Sequence, residues 1–120
     1  MPRGECVAQR PATVSRSVHN LGDKEVARLA KHSESGFKLM MAVFSESAPL
    51  LNITDCGTPS EKDEQKGFQF LFAGSMLAIR NPRGHEYGMH ESPDECLDHI
   101  ALASLLLRRL QASGHKISGK

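Results

Sequence analysis

The chain has 120 residues and a formal net charge of +1, with 15 Lys or Arg residues against 14 Asp or Glu residues. This length is typical of one domain, and no apolar run approaches the roughly 20 residues that cross a bilayer. The near-neutral charge argues against a broad basic face for nucleic acid, because phosphate neutralisation supplies most non-specific affinity. We therefore expect one soluble domain, with no membrane contact, whose contacts with any RNA are few and local.

The cysteines and the N-terminus favour a cytoplasmic protein. Cys6, Cys56 and Cys96 are far apart and form no CxxC pair. This pattern indicates reduced thiols rather than a disulfide framework. No apolar segment of a secretory signal follows the basic residues at the start of the chain. No motif indicates a cofactor, so we predict none.

The first part of the chain is predicted to hold short elements. Residues 1–20 show neither a helical nor a strand period, so we expect a flexible lead-in. The apolar spacing from Asp23 predicts a short amphipathic helix, and Gly36 separates it from a strongly apolar segment that ends at Phe44. Residues 45–57 have the composition of a loop. The residues by which this loop should return to the core are Leu50, Leu51 and Ile53.

Two long helices are the clearest elements, because each begins with the same capping sequence. Thr58-Pro59-Ser60-Glu61 and Ser92-Pro93-Asp94-Glu95 both place a hydroxyl at the N-cap, proline at the first helical position and glutamate at the third. The first helix should run from about Pro59 to Arg80, and the second from Pro93 to about Ala112.

Mostly apolar residues at three- and four-residue intervals, with a serine on each helix, predict a wide core face on both helices. On the first helix these residues are Phe68, Phe70, Leu71, Phe72, Ser75, Met76, Leu77 and Ile79. On the second they are Leu97, Ile100, Ala101, Ser104, Leu105, Leu106, Leu107 and Leu110. We expect an all-α bundle over residues 21–114, followed by a loose tail over residues 115–120.

The run Arg80-Asn81-Pro82-Arg83-Gly84-His85, here called the elbow, lies where the first long helix should stop. Pro82 disfavours helix for Asn81 and cannot donate the next backbone hydrogen bond, so we expect an exposed turn. Arginine offers a fork of donors that fits a phosphate, and histidine exchanges protons near neutral pH. These residue types together can carry out phosphodiester chemistry without a metal.

A purely local role for the elbow stays open. Arg80 and Asn81 also suit the capping of the free carbonyl groups at the end of a helix and the shaping of the turn. In that case His85 is simply an exposed side chain.

A metal site is the second alternative. Its ligands would be His85, His90, Cys96 and His99. Cys96 and His99 share one face of the last helix, as metal ligands can. Structural zinc usually shows closely paired ligands, however, and Cys96 suits a small buried position equally well. We therefore predict no metal site.

The stretch from Gly67 to His85, which contains FAGSMLAIRNPRGH, and the later stretch SLLLRR resemble the C-terminal module of Ymh-type proteins of phages and bacteria. Those proteins in turn resemble the HEPN superfamily. The likeness covers about residues 37–112. HEPN domains are all-α bundles, often dimeric, in which an arginine, a polar residue after it and a histidine four to six residues along form a metal-independent ribonuclease site.

The resemblance implies roles for the elbow residues. Arg80, Asn81 and His85 match the HEPN spacing, so Arg80 would hold the scissile phosphate, Asn81 would orient it and His85 would move the proton. From their residue types, Arg83 and Tyr87 are candidate substrate contacts, the first to a phosphate and the second by stacking on a base, although Arg83 also suits a solvated loop and Tyr87 a position over the core. Two copies whose elbows face each other would form one cleft.

Three functions stay open at this point. The first is a ribonuclease of a phage-defence or toxin-antitoxin system, acting on RNA and restrained by an antitoxin or a fused regulatory domain. The second is a non-catalytic dimerisation or RNA-sensing module. The third is a purely structural helical domain. The apolar surface of the two long helices favours a homodimer in all three.

Overall fold

The computed structural model describes residues 11–82 and 91–117. All regular structure in these ranges is helical, which confirms the predicted all-α fold. The elements are α1 Pro11–Ala30, α2 Gly36–Val43, α3 Pro59–Ser75, a π-helical turn Met76–Arg80 that continues α3, and α4 Pro93–Ala112. No helix in the described ranges is both long and apolar enough to span a bilayer.

Both predicted capping boxes are formed. The hydroxyl of Thr58 accepts a hydrogen bond from the backbone N–H of Glu61 at 3.1 Å, and the Glu61 carboxylate accepts one from the N–H of Thr58 at 3.2 Å. Ser92 and Glu95 make the same pair of bonds at 3.1 and 3.0 Å. These bonds satisfy N–H groups that no preceding turn can reach. α3 and α4 therefore begin where the sequence predicts.

α1 is the main correction to the sequence prediction. It begins at Pro11, so residues 11–20 are part of a helix and not of a flexible lead-in. Residues 1–10 lie outside the described residues. The buried face of α1 has the helical period but is largely polar, and it consists of Ala12, Ser15, His19, Asp23 and Val26. Because the expected apolar residues are missing from most of this face, the periodicity was not visible as a helix signal.

The apolar core lies where α2 and α3 meet α4. The rings of Phe44 and Phe72 stack with their centroids 4.4 Å apart. Leu51 and Ile53 return from the loop to this core as predicted, whereas Leu50 is exposed. The other buried members of the core are Val26, Leu39, Met40, Val43, Ala73, Met76, Leu106 and Leu110.

Several residues predicted for the core lie on the surface. Phe70, Leu71 and Leu77 at the α3 end and Leu97 and Leu105 on α4 are between 44% and 64% exposed. α3 packs mainly against α2, and α4 packs mainly against α1. Neither long helix is therefore enclosed on all sides by the described residues, and the prediction of wide core faces is wrong for these five side chains and for Ala101, which is exposed as well.

The end of the chain also differs from the predicted loose tail. The Nε2–H of His115 donates to the backbone carbonyl of Asn52 at 3.0 Å, and the carbonyl of Lys116 accepts from Nη2 of Arg28 at 2.8 Å. Ile117 packs against the core. Residues 115–117 are thus held on the bundle, and residues 118–120 lie outside the described residues.

Gln65 fixes the loop between α2 and α3. Its buried side-chain amide donates to the carbonyls of Phe44 and Leu51, at 3.2 Å each. Its carbonyl oxygen accepts from the N–H groups of Ile53 and Thr54 at 2.7 and 3.1 Å. One side chain therefore satisfies four backbone groups of a loop that has no ladder of its own.

Replacing Gln65 with Leu should lower the free energy of unfolding by about 3 kcal/mol or more, because each buried polar group left without a partner costs roughly 1–3 kcal/mol. Urea denaturation followed by circular dichroism measures this change. Gln69→Leu is the matched control, since the Gln69 side chain makes one such bond, to the carbonyl of Met41. Equal losses in the two variants would contradict the role given to Gln65.

Candidate functional site

α3 continues past Arg80, where the sequence predicts its end. The turn Met76–Arg80 is π-helical, and the N–H of Asn81 donates to the carbonyl of Met76. Asn81 keeps helical dihedral angles, φ −65° and ψ −49°, and Pro82 is helical as well. The prediction that the helix gives way to an exposed turn at Asn81 and Pro82 is therefore wrong. The wider turn lies directly before the proline, in keeping with the loss of a donor there and with the local irregularity that prolines cause in helices.

The guanidinium of Arg80 is held by three side chains. Its Nε donates to Oδ1 of Asn81 at 2.8 Å. Its Nη1 donates to Oδ1 of Asn20 at 3.3 Å and to Oδ2 of Asp23 at 3.2 Å. The Arg80 side chain is 20% exposed and that of Asp23 only 10%. A largely buried ion pair thus joins the end of α3 to α1.

Asp23 also holds the start of α2. Its Oδ1 accepts a hydrogen bond from the N–H of Gly36 at 2.7 Å. Gly36 has φ +66°, and a Cβ atom there would lie 2.6 Å from Nη2 of Arg80. Glycine is therefore required both for the left-handed backbone and for the close approach of the guanidinium. We call this group the Arg80 junction; its members are Asn20, Asp23, Gly36, Arg80 and Asn81.

A second polar group, the Glu91 cluster, lies where α1 meets the start of α4. The buried carboxylate of Glu91 accepts a hydrogen bond from the hydroxyl of Ser15. Its other oxygen lies 2.9 Å from Nδ1 of His99. The Nε2–H of His19 donates to the backbone carbonyl of His99 at 2.9 Å. The polar face of α1 therefore contacts polar groups of α4 and of Glu91, the residue before the N-cap of α4.

The described ranges contain two of the five predicted site residues. These two, Arg80 and Asn81, contact each other. The other three lie outside the described residues: Arg83, His85 and Tyr87.

The alternative metal set is divided in the same way. Cys96 is buried, as expected for a small core residue, and His99 belongs to the Glu91 cluster. His85 and His90 fall outside the described residues. Within the ranges that the structure covers, no group of three or more His, Cys, Asp or Glu side chains is arranged to hold a metal ion.

Sequence reasoning missed the partners of Arg80. Asp23 and Asn20 come from α1, which was expected to begin only near Asp23. Ser15, His19 and Asp23 recur at four-residue intervals and so share one helix face. Polar residues at this spacing are typical of a solvated face as well, so nothing in the sequence indicated that this face is buried.

The fold and the two polar groups define a small all-α domain in which the polar face of the first helix meets the end of α3 and the start of α4. The chain belongs to the Hypoth_Ymh family, described as a protein of unknown function, whose model matches residues 9–110. The match includes α1, so the likeness begins well before residue 37, where the sequence resemblance placed it. No curated protein and no solved structure matches the chain.

Gly36→Ala should lower the free energy of unfolding by about 1–3 kcal/mol, because it forces a side chain into a left-handed backbone and against the guanidinium of Arg80. The matched control is Gly67→Ala, at an exposed position in α3 with no atom within 4 Å of the added methyl group. That variant should gain about 0.5–1 kcal/mol, because alanine is the better helix former. Thermal melts of both variants test the difference in sign.

Asp23→Ala should destabilise the fold by about 3 kcal/mol, since it leaves the Arg80 guanidinium largely buried without its counter-charge. In a double-mutant cycle with Arg80→Ala, the double variant should lose less free energy of unfolding than the sum of the two single losses. The difference should be about 1 kcal/mol or more. Glu46→Ala, which breaks the exposed 3.8 Å pair with Lys66, is the control. It should cost less than about 1 kcal/mol. If the loss of stability in the double variant equals the sum of the two single losses, Asp23 and Arg80 do not stabilise the fold through their interaction.

Proposed function

We propose that the chain is a metal-independent, HEPN-like endoribonuclease in which Arg80 and Asn81 bind the scissile phosphate and His85 transfers the proton. The observation that carries this proposal is the fixed guanidinium of Arg80, held by Asn20, Asp23 and Asn81 at the end of α3. His85 follows within five residues along the chain. A donor that is already oriented loses little freedom when a phosphate binds, and this favours catalysis.

The chemistry needs no metal. A ribose 2′-oxygen attacks the phosphorus, the bond from phosphorus to the 5′-oxygen breaks, and a cyclic phosphate and a 5′-hydroxyl result. An imidazole with an ordinary pKa of about 6.5 can accept the 2′-hydroxyl proton or supply the proton of the leaving group at neutral pH. Arg80 stabilises the negative charge that gathers on the phosphate oxygens, a contribution whose loss typically costs about 10²–10³ in rate.

One nitrogen of Arg80 donates to no group in the described ranges and is the proposed contact to the phosphate. Nε and Nη1 donate to side chains of the junction, whereas Nη2 makes no hydrogen bond within the described ranges. A fifth of the side chain is exposed. The proposed phosphate contact is therefore local, which agrees with a net charge of only +1.

The proposal includes the cellular setting that the resemblance implies. A ribonuclease of a phage-defence or toxin-antitoxin system must be restrained in a healthy cell, so an antitoxin or a fused regulatory domain is the expected partner. The shared cleft between two facing elbows stays a prediction from the sequence.

A non-catalytic dimerisation or RNA-sensing module is the second candidate, and the Asp23 carboxylate is the observation that favours it. This carboxylate already pairs with Arg80 at 3.2 Å and competes with any phosphate for the same guanidinium. A nuclease that binds its substrate through Arg80 must overcome that competition. A module that uses Arg80 only to hold its helices together does not face this competition.

Cleavage of total RNA and tRNA by the purified chain in EDTA tests the proposal. His85→Ala should lower the cleavage rate by about 10²-fold or more, because a general acid–base catalyst typically contributes about 10²–10⁴-fold. Arg80→Lys should also slow cleavage, since lysine lacks the planar fork of donors. His32→Ala, at the end of α1, should cleave as fast as the wild type, with all variants compared at equal folded concentration.

The other outcomes separate the candidate functions. Equal cleavage by the wild type and His85→Ala would overturn the catalytic assignment. RNA binding without cleavage, unchanged in folded Arg80→Lys, would support the RNA-sensing module. A folded wild-type chain that neither binds nor cleaves RNA would leave the structural role of the Arg80 junction as the better account of these residues.

A further inference from the structure

The outward face of α4 carries an exposed apolar stripe. Leu97 and Leu105 are 64% and 51% exposed, and Ala101 between them is exposed as well. Their four-residue spacing places them along one line of the helix. Single exposed apolar residues are common on protein surfaces, but an aligned set of this kind marks a surface for a partner.

Charged residues extend this line at both ends. Asp94 precedes Leu97 by about one turn and Arg108 follows Leu105 by about one turn, and both are exposed. We call these five residues the α4 stripe. Along the helix the order is acid, leucine, alanine, leucine, base. The residues on the two sides of Ala101 are equally spaced from it, and the charges at the two ends are opposite. A surface with this symmetry is complementary to itself when one copy is turned end over end.

We propose that the α4 stripe binds the α4 stripe of a second copy of this chain, with the two helices antiparallel and a two-fold axis at Ala101. Asp94 of each copy then faces Arg108 of the other, and Leu97 of each copy packs beside Leu105 of the other. Each contact occurs twice, as in any two-fold interface between identical chains. The small side chain of Ala101 permits close approach at the centre.

The surface beside the stripe suits this packing. A groove of about 260 Å³ runs along the α1 side of α4, with apolar walls formed by Val18, Ile100, Leu107 and Ile117. On a helical wheel, Leu97 lies on the groove side of the line through Ala101. The two-fold axis therefore brings Leu97 of the second copy to the level of Leu105, next to the groove, where apolar walls can bury it.

The order of charges selects this arrangement over others. A parallel pairing would place Asp94 against Asp94 and Arg108 against Arg108, which is unfavourable. Phe70, Leu71 and Leu77 at the α3 end are exposed to a similar fraction but are not flanked by charges with this symmetry. They supply the control surface for the test.

The α4 stripe shares no residue with the Arg80 junction. The inference does not depend on ribonuclease activity.

Charge reversal tests the pairing by sedimentation equilibrium on the full chain. Asp94→Arg and Arg108→Asp each place like charges opposite one another twice, so each variant alone should dimerise with a dissociation constant raised by about tenfold or more. An equimolar mixture of the two variants should form a heterodimer close to wild-type affinity, because every facing pair is then of opposite charge. The effect of each substitution on its own helix is the same alone and in the mixture, so recovery reports the pairing.

Two leucine variants locate the surface. Leu105→Glu should give a folded monomer, whereas Leu77→Glu, at a position that is also 51% exposed, should remain a dimer. Circular dichroism melts confirm that each variant is folded. A wild-type chain that is monomeric at its highest soluble concentration would overturn the proposal. A mixture of the charge variants that dimerises no better than either alone, or dissociation by Leu77→Glu and not by Leu105→Glu, would overturn it as well.

Discussion

The carboxylate of Asp23 accepts hydrogen bonds from two parts of the chain that are distant in sequence, the guanidinium of Arg80 and the N–H of Gly36. Because both contacts end on one short side chain, α1, the start of α2 and the end of α3 have fixed relative positions. Burying such a pair costs solvation energy, and an apolar replacement of similar shape is often no less stable. What the pair supplies is a defined geometry. The left-handed glycine at position 36 is part of that geometry, since any Cβ would displace the guanidinium.

The same ion pair bears on function in two opposite ways. It orients Arg80 before any ligand arrives, which is what a phosphate-binding arginine needs. It also neutralises much of the charge that would attract a phosphate. Which effect prevails depends on Nη2, the nitrogen not used by the junction, and on the residues that follow Pro82. Along the chain, the Arg80 junction precedes residues 83–90 and the Glu91 cluster follows them.

The parts of the fold that the sequence predicted well depend on local chemistry. Thr58 and Ser92 mark helix starts because a capping box involves residues three positions apart, so α3 and α4 could be located from the sequence alone. α1 could not, because its buried polar residues are satisfied from far away: Ser15 bonds to Glu91, 76 residues on, and Asp23 bonds to Arg80, 57 residues on. Arg80 and Asn81 were chosen as site residues from their types and spacing. That Asp23 pairs with Arg80 required the tertiary structure.

The π-helical turn at Met76–Arg80 makes this part of the chain sensitive to length. A π turn accommodates one residue more than an α-helical path of the same rise. A single deletion within it would let α3 continue as a regular helix with the residues beyond it in nearly the same phase, whereas a single insertion before Arg80 would turn everything beyond by about 100° around the axis. After such an insertion Arg80 would point away from Asp23 and Gly36 even though every residue of the junction was still present. The loop at residues 45–57 has exposed positions where an insertion changes no helical phase, so the two segments should tolerate insertions very differently.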